Sequence, residues 1–244
     1  MEIPASNRII QGLWVNGKLS NIQLLCIQSF LQNGHSFHLY TYNQSINAPE
    51  GVEILPASEI FPESSIFKDD RGTLGAFSDI FRFELLYQKG GWWVDMDEIC
   101  LKPFDFKEEY VFSSEHNLDF SQKINVGVIK VPPESAVMQF CRDASRKLFE
   151  VNYPHIKWGS LGSHLLESYI KSNDIYLDYV MQPEVFCPVP FVYFKLLFNN
   201  IVFDFSRETY GVHLWNEMLR LENMDINGGY HKQSCFERLK NTYL

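Results

Sequence analysis

Apolar and polar positions along the chain switch period several times, and the switches outline its elements. Residues 8–15 (RIIQGLWV) are a short apolar run ended by Asn16-Gly17, the pattern of a buried strand and its turn. Residues 18–33 then place Ile22, Leu25, Cys26, Ser29 and Phe30 at helical spacing, with Gly34 as a C-terminal stop. Residues 37–42 and 52–55 read as a second and a third strand. Strand, helix, strand at this spacing predicts an α/β fold. Residues 75–89 predict a helix that is apolar nearly all round and stops at Gly90-Gly91. Short strands follow at 92–95 and 98–101, then at 110–113 and 123–131. Pro132-Pro133 opens a helix over 134–150, and 160–171 predicts another. Residues 175–201 are aromatic and broken by proline, with short strands at best. A late strand at 211–215 and a closing helix at 235–241 complete the pattern. With no repeat, low-complexity tract or linker, residues 1–244 read as a single domain. Its N-terminal half runs to about 131, and a looser C-terminal half over 132–244 covers it.

Composition narrows the partners. A chain of 244 residues can bury a substantial core without staples. Its net charge of −9 argues against nucleic-acid binding and against a polybasic membrane anchor. An acidic protein with an anionic ligand needs local compensation from a metal, an arginine or a helix N-terminus. The five cysteines form no C-x-x-C pair and lie in apolar flanks, the pattern of reduced, buried thiols. The N-terminus has no basic region followed by an apolar run, and no stretch reaches eighteen apolar residues. A whole protein of this kind is expected to be cytoplasmic.

The candidate chemistry gathers around Asp95-Met96-Asp97, where the apolar strand Trp92-Trp93-Val94 ends in two acids. Buried carboxylates without partners are costly. A divalent cation with oxygen ligands and open positions, Mg²⁺ or Mn²⁺, is one solution. A solvated turn at the strand end is the other. Asp79 and Arg82 sit three apart on the preceding helix, so they share a face. They suit either an internal ion pair or a donor and acceptor set for a polyhydroxylated ligand. Trp14, at the end of the first strand, is either a core residue or a stacking platform in the crevice beyond the strand ends. His213, Trp215 and Asn216 form a late cluster, GVHLWNE, that is either structural or closes over a metal–phosphate site. The stretch 191–198 (FVYFKLLF) is core or lid, with contact to a lipid-linked acceptor or a membrane surface as the alternative.

Taken together, SDIFRFELLYQKGGWWVDMDEICLKPF resembles the "DXD" sugar-binding region of the family thirty-two glycosyltransferases. The shared pattern is Ser-Asp-x-x-Arg, about a dozen residues, Gly-Gly, an aromatic, then Asp-x-Asp. RIIQGLWVNG, INVGVIKVPPES, IKWGSLGSHLL, QPEVFCPVP and GVHLWNEMLR resemble further family blocks, so the likeness covers almost the whole chain. It implies a GT-A fold, a mixed central sheet flanked by helices. It also implies a nucleotide-sugar donor, most often UDP-linked, and Mn²⁺ or Mg²⁺. By position, Asp95 and Asp97 would hold the metal, and Asp79 and Arg82 would bond the donor sugar's hydroxyls. Trp14 would stack on the base, and Asn125 and Gly127 would line the sugar pocket. His213 or Asn216 would complete the metal–diphosphate site. Many relatives carry Gly-Pro where this chain has Gly162-Ser163, in a block that helps shape the acceptor side. The implied activity is retaining transfer to a glycan, lipid-linked glycan or other hydroxyl acceptor, as in surface polysaccharide synthesis. A D-x-D phosphotransferase and a non-catalytic sugar-binding module are the competing expectations.

Overall fold

A computed structural model describes residues 3–15, 17–43 and 45–244. Asn16, half of the expected stop after the first strand, lies outside the described residues. The central sheet has six strands in the order β3-β2-β1-β4-β7-β6. β1 (Ile9–Leu13), β2 (Ser36–Thr41), β3 (Val52–Pro56) and β4 (Gly91–Val94) pair in parallel. β7 (Gln122–Val131) runs antiparallel to β4, and β6 (Val111–His116) antiparallel to β7. A separate ribbon pairs β5 (Glu98–Cys100) with β8 (Gly211–His213), antiparallel.

The strands lack polar alternation because both faces of the sheet are covered. Successive β4 residues show it: Trp92 and Val94 enter one core, and Trp93 enters the other. The first core takes Ile10, Phe37 and Leu39 from the sheet, with α1 (Asn21–Gln32) and α7 (Cys235–Tyr243) over it. α1 starts in a capping box between Ser20 and Gln23 and ends at Gly34, whose φ of 86° suits a residue without Cβ. The second core takes Leu13, Tyr40, Phe112 and Ile129, covered by α2 (Gly75–Lys89), α3 (Ala136–Asn152) and α4 (Ser163–Lys171). Thus residues on both sides of position 131 share both cores.

One expectation needs correction, and one element was not foreseen. Residues 174–197 form no strand but short helical turns: Asp174–Tyr179, α5 (Pro183–Phe186) and Phe191–Leu197. Proline removes the ladder donors a strand would need, and the spaced aromatics Tyr176, Phe186 and Phe194 are instead buried from successive turns. A further helix, α6 (Asn216–Leu221), follows β8 directly, where no start signal was read in the sequence. In the 191–198 stretch Phe194, Leu197 and Phe198 are core, while Val192 and Tyr193 are exposed.

The corner between α2 and β4 fixes where the acid pair emerges. Gly90 has φ 63° and ψ −157°, a region essentially closed to other residues. A Cβ there would meet Pro133 Cδ at 2.6 Å. Gly90→Ala is expected to cost about 1–3 kcal/mol of stability. A lowered urea midpoint at unchanged slope would report it.

Candidate active site

β4 ends at Val94, and the next residues turn sharply: the Glu98 amide donates to the Asp95 carbonyl at 3.0 Å. The Asp95 amide is anchored to the Gly127 carbonyl of β7 at 2.8 Å. Asp95 and Asp97 therefore leave the carboxyl end of a central parallel strand, where ligands of α/β sheets bind.

Arg82 is the cation of this corner and is almost fully buried. Its Nη1 lies 3.0 Å from Asp95 Oδ1 and donates to the Val126 carbonyl at 2.5 Å. Its Nη2 lies 3.3 Å from Asp79 Oδ1. Trp93, which carried no role in the sequence reading, donates its indole N–H to Asp95 Oδ1 at 3.0 Å, and its ring lies 5.0 Å from the guanidinium. Asp95 Oδ1 is thus committed to two donors, while Oδ2 has no hydrogen bond among the described residues.

Asp97 is satisfied from the C-terminal segment. Its Oδ1 is 3.1 Å from His213 Nε2, and its Oδ2 accepts the Asn216 backbone N–H at 2.7 Å. The β5–β8 ribbon makes this possible by setting Glu98 opposite His213. Trp215, held in the left-handed region at φ 58°, turns the chain into α6 and stacks on the imidazole, with centroids 4.2 Å apart. Behind His213, Nδ1 faces Cys187 Sγ at 3.9 Å. That sulfur also accepts from Asn125 Nδ2 at 3.4 Å. Asn125 Oδ1 accepts from the Ser113 hydroxyl and from the Gly127 amide, the latter at 3.1 Å. Cys187 and Ser113 gave no signal in the sequence, because their partners come from distant segments.

The fold brings together eight of the nine predicted residues: Asp79, Arg82, Asp95, Asp97, Asn125, Gly127, His213 and Asn216. Trp14 stands apart. It lies half-buried just past β1, with its amide on the Tyr40 carbonyl at 2.9 Å, and outside the network of the acid cluster among the described residues. Its indole N–H is buried without a partner there, as is the side-chain oxygen of Asn216.

Ligand atoms of Asp95, Asp97 and His213 lie within 4.8 Å of one another. A Cβ on Gly127 would sit 3.7 Å from both Asp95 Oδ2 and His213 Cε1, so glycine leaves that wall of the space open. Two carboxylates and an imidazole fit Mn²⁺ or Mg²⁺ with positions left for other oxygens. Protonation follows from burial and partners. Burial raises the Asp95 carboxyl, with Arg82 opposing. Burial would raise Asp97 too, but His213 and the Asn216 amide outweigh it and hold the group low. Burial would lower His213, but Asp97 keeps it protonated well above the usual range. Burial pushes Asp79 up to about 7 against Arg82.

Gly162 closes the Asp79 side: a Cβ there would lie 2.5 Å from the carboxylate oxygens. The Gly-Ser block assigned to the acceptor side therefore also packs on the predicted sugar-binding acid.

Residues 25–115 match the family model described as "Glycosyltransferase sugar-binding region containing DXD motif". Residues 139–242 match "Alpha 1,4-glycosyltransferase conserved region". No curated protein sequence matches the chain. Among solved structures it is similar to the PaToxG glycosyltransferase, with 18% identity and a TM-score of 0.51 over 70% of this chain and 71% of that one. A looser likeness is to the glycosyltransferase GlyE of Streptococcus pneumoniae TIGR4, with 11% identity and a TM-score of 0.42 over 73% and 46%. At such identities the likeness is one of fold. With both family models describing glycosyltransferases and together spanning most of its length, the chain belongs to the glycosyltransferases, built on the GT-A fold.

Proposed function

We propose that the chain is a metal-dependent, retaining glycosyltransferase of the family thirty-two type, acting as one catalytic domain on a UDP-linked sugar. The convergence of Asp95, Asp97 and His213 beside the Asp79–Arg82 pair carries this reading. Asp95 through Oδ2, Asp97 and His213 would hold Mn²⁺ or Mg²⁺. When bound, the cation supplies Lewis acidity at the leaving diphosphate. Binding the cation would require His213 to release the proton that it shares with Asp97, and the loaded site would then meet the charge that grows as the anomeric C–O bond breaks. Asn216, whose amide already serves Asp97, keeps a buried side-chain oxygen without a partner among the described residues. Arg82 and Asp79 orient the sugar hydroxyls, and Asn125 and Gly127 line the opposite wall. Trp14 stacks on the uracil.

Retention is consistent with the description of one matching family as alpha 1,4-glycosyltransferases, since an α product from an α-linked donor keeps configuration. Every carboxylate of the acid cluster is engaged with Arg82 or His213 or buried, so none is free as a nucleophile, which favours same-face attack by the acceptor hydroxyl. Among the described residues no helix is long and apolar enough to cross a membrane. We place the enzyme in the cytoplasm, in surface-glycan synthesis, with Val192 and Tyr193 as the exposed residues of the aromatic stretch for peripheral membrane contact.

Four outcomes are expected. In a thermal-shift panel, one UDP-sugar raises the melting temperature with Mn²⁺ and loses the effect with EDTA, as for a ligand bound only to the native state. Asp97→Ala abolishes both that shift and sugar transfer with the circular-dichroism spectrum unchanged; full transfer by this variant would sink the reading. Trp14→Ala weakens UDP binding by about tenfold in calorimetry, the weight of one lost stacking face. Finally, Asp79 takes up its proton more readily folded than unfolded, so its contribution to stability falls as pH rises from about 4 to about 7. Asp79→Asn should therefore lose less stability than the parent over that window, read as urea midpoints at both ends.

A further inference from the structure

Outside the acid cluster, three segments meet on the Asp79 side of the cleft. The turn before α2 holds Asp69, Asp70 and Arg71. Asp69 Oδ1 accepts the Arg71 and Thr73 amides, each at 3.0 Å. Asp70 fastens the loop before α4 to this turn: its amide donates to the Ile156 carbonyl, and its Oδ1 accepts the Trp158 amide, both at 2.8 Å. The Arg71 guanidinium covers one face of the Trp158 indole at 4.1 Å. Arg71 Nη1 also lies 3.7 Å from Glu217, the residue after Asn216. Glu217 is itself fixed by Arg220 at 2.7 and 2.8 Å.

The position of this cluster follows from α2. Trp158 Nε1 lies 3.1 Å from where a Gly75 Cβ would be, and Gly162 abuts Asp79. Gly75 and Asp79 are four apart on one helix face, about 6 Å along its axis. Residues 158–162 therefore run beside that face, with Trp158 about one turn outward from the carboxylate assigned to the donor sugar. Glu217 approaches from the other side, next to the residue that serves Asp97. An indole this large that is still 42% exposed, on a hydrogen-bonded mount beside the acid cluster, is an anchor awaiting a partner.

We propose that Trp158, Arg71 and Glu217 form the acceptor subsite and that the acceptor is a neutral saccharide end. The inference rests on the proposed placement of the donor sugar against Asp79. The exposed part of the indole offers apolar contact to the C–H face of a pyranose ring. Glu217 accepts, and Arg71 donates, hydrogen bonds with its ring hydroxyls. A phosphorylated acceptor group is disfavoured here, because Arg71 is already shared with Glu217 and stands beside Asp69 and Asp70 in a chain of net charge −9. A flexible peptide would use the indole less well than a rigid ring, since ordering it costs more.

The test uses the whole chain, labelled with nitrogen-15, and reads the Trp158 indole N–H resonance, assigned by its loss in Trp158→Phe. Methyl glycosides of glucose, galactose and N-acetylglucosamine, lactose, and a serine-containing peptide are titrated without donor. At least one saccharide is expected to move this resonance and the peptide to leave it still. Trp158→Ala should weaken binding of that saccharide, followed by saturation transfer, by up to about tenfold, with Trp158→Phe retaining most of it. Calorimetric binding of UDP with Mn²⁺ should be unchanged in Trp158→Ala. A resonance unmoved by every saccharide, movement by the peptide instead, or undiminished saccharide binding in Trp158→Ala overturns the subsite. Saccharide binding at Trp158 in a protein that fails to bind UDP with Mn²⁺ keeps the subsite and refutes the donor reading.

Discussion

Concentrated negative charge at the end of one central strand is the constraint around which this protein is organised. Asp79, Asp95, Asp97 and Glu98 are all pulled from water within a few residues' reach of each other. Removing one partner from such a set leaves an uncompensated buried charge, which is strongly destabilising. Arg82 answers for Asp79 and Asp95 together, and His213 answers for Asp97. Glu98 Oε1 has no hydrogen-bond partner among the described residues, and burial pushes this carboxyl well above the usual range. Among the described residues one carboxylate oxygen of Asp95 and the buried side-chain oxygen of Asn216 have no hydrogen-bond partner.

This charge balance ties the two halves of the chain together. Arg82 is set by α2 and the β7 carbonyl of Val126, so its position belongs to the N-terminal half. His213 arrives only when β8 pairs with β5, and Asn216 closes the ring from 119 positions away. The C-terminal segment thus supplies both a cover and the counter-charge that makes the acid pair tolerable in the folded state. Cys187, Asn125 and Ser113 brace the far side of the imidazole, so its Nε2 is aimed at Asp97. A site whose orienting groups are themselves fixed needs little rearrangement when charge develops during reaction.

Glycines shape the same space by what they omit. Gly127 leaves open the wall beside Asp95 Oδ2, and Gly162 lets the loop before α4 lie against Asp79. At Gly162 a Cβ would collide with the Asp79 oxygens, whereas at Gly127 it would only line the space beside Asp95. The lining of the site is carboxylates and backbone, a setting for a polar ligand rather than for an apolar one.

Periodicity and local spacing alone determined the order of strands and helices, the acid pair at a strand end, and the shared face of Asp79 and Arg82. These are legible because they depend on neighbours within a few residues: strand and helix periods, glycine stops and three-residue spacing. Resemblance to known sequences added Asn125 and Gly127 and narrowed the roles of His213 and Asn216. Only the tertiary structure decided which oxygen of Asp95 is free, that the Asp97 carboxyl is held low while burial raises that of Asp95, and that Trp93 and Cys187 belong to the network. It also turned residues 174–197 into helical turns and set Trp158, Arg71 and Glu217 on one rim. Those outcomes hang on strand register and on where a buried charge finds its counter-ion. Both are fixed by contacts between segments far apart in the chain, which no local pattern of residues records.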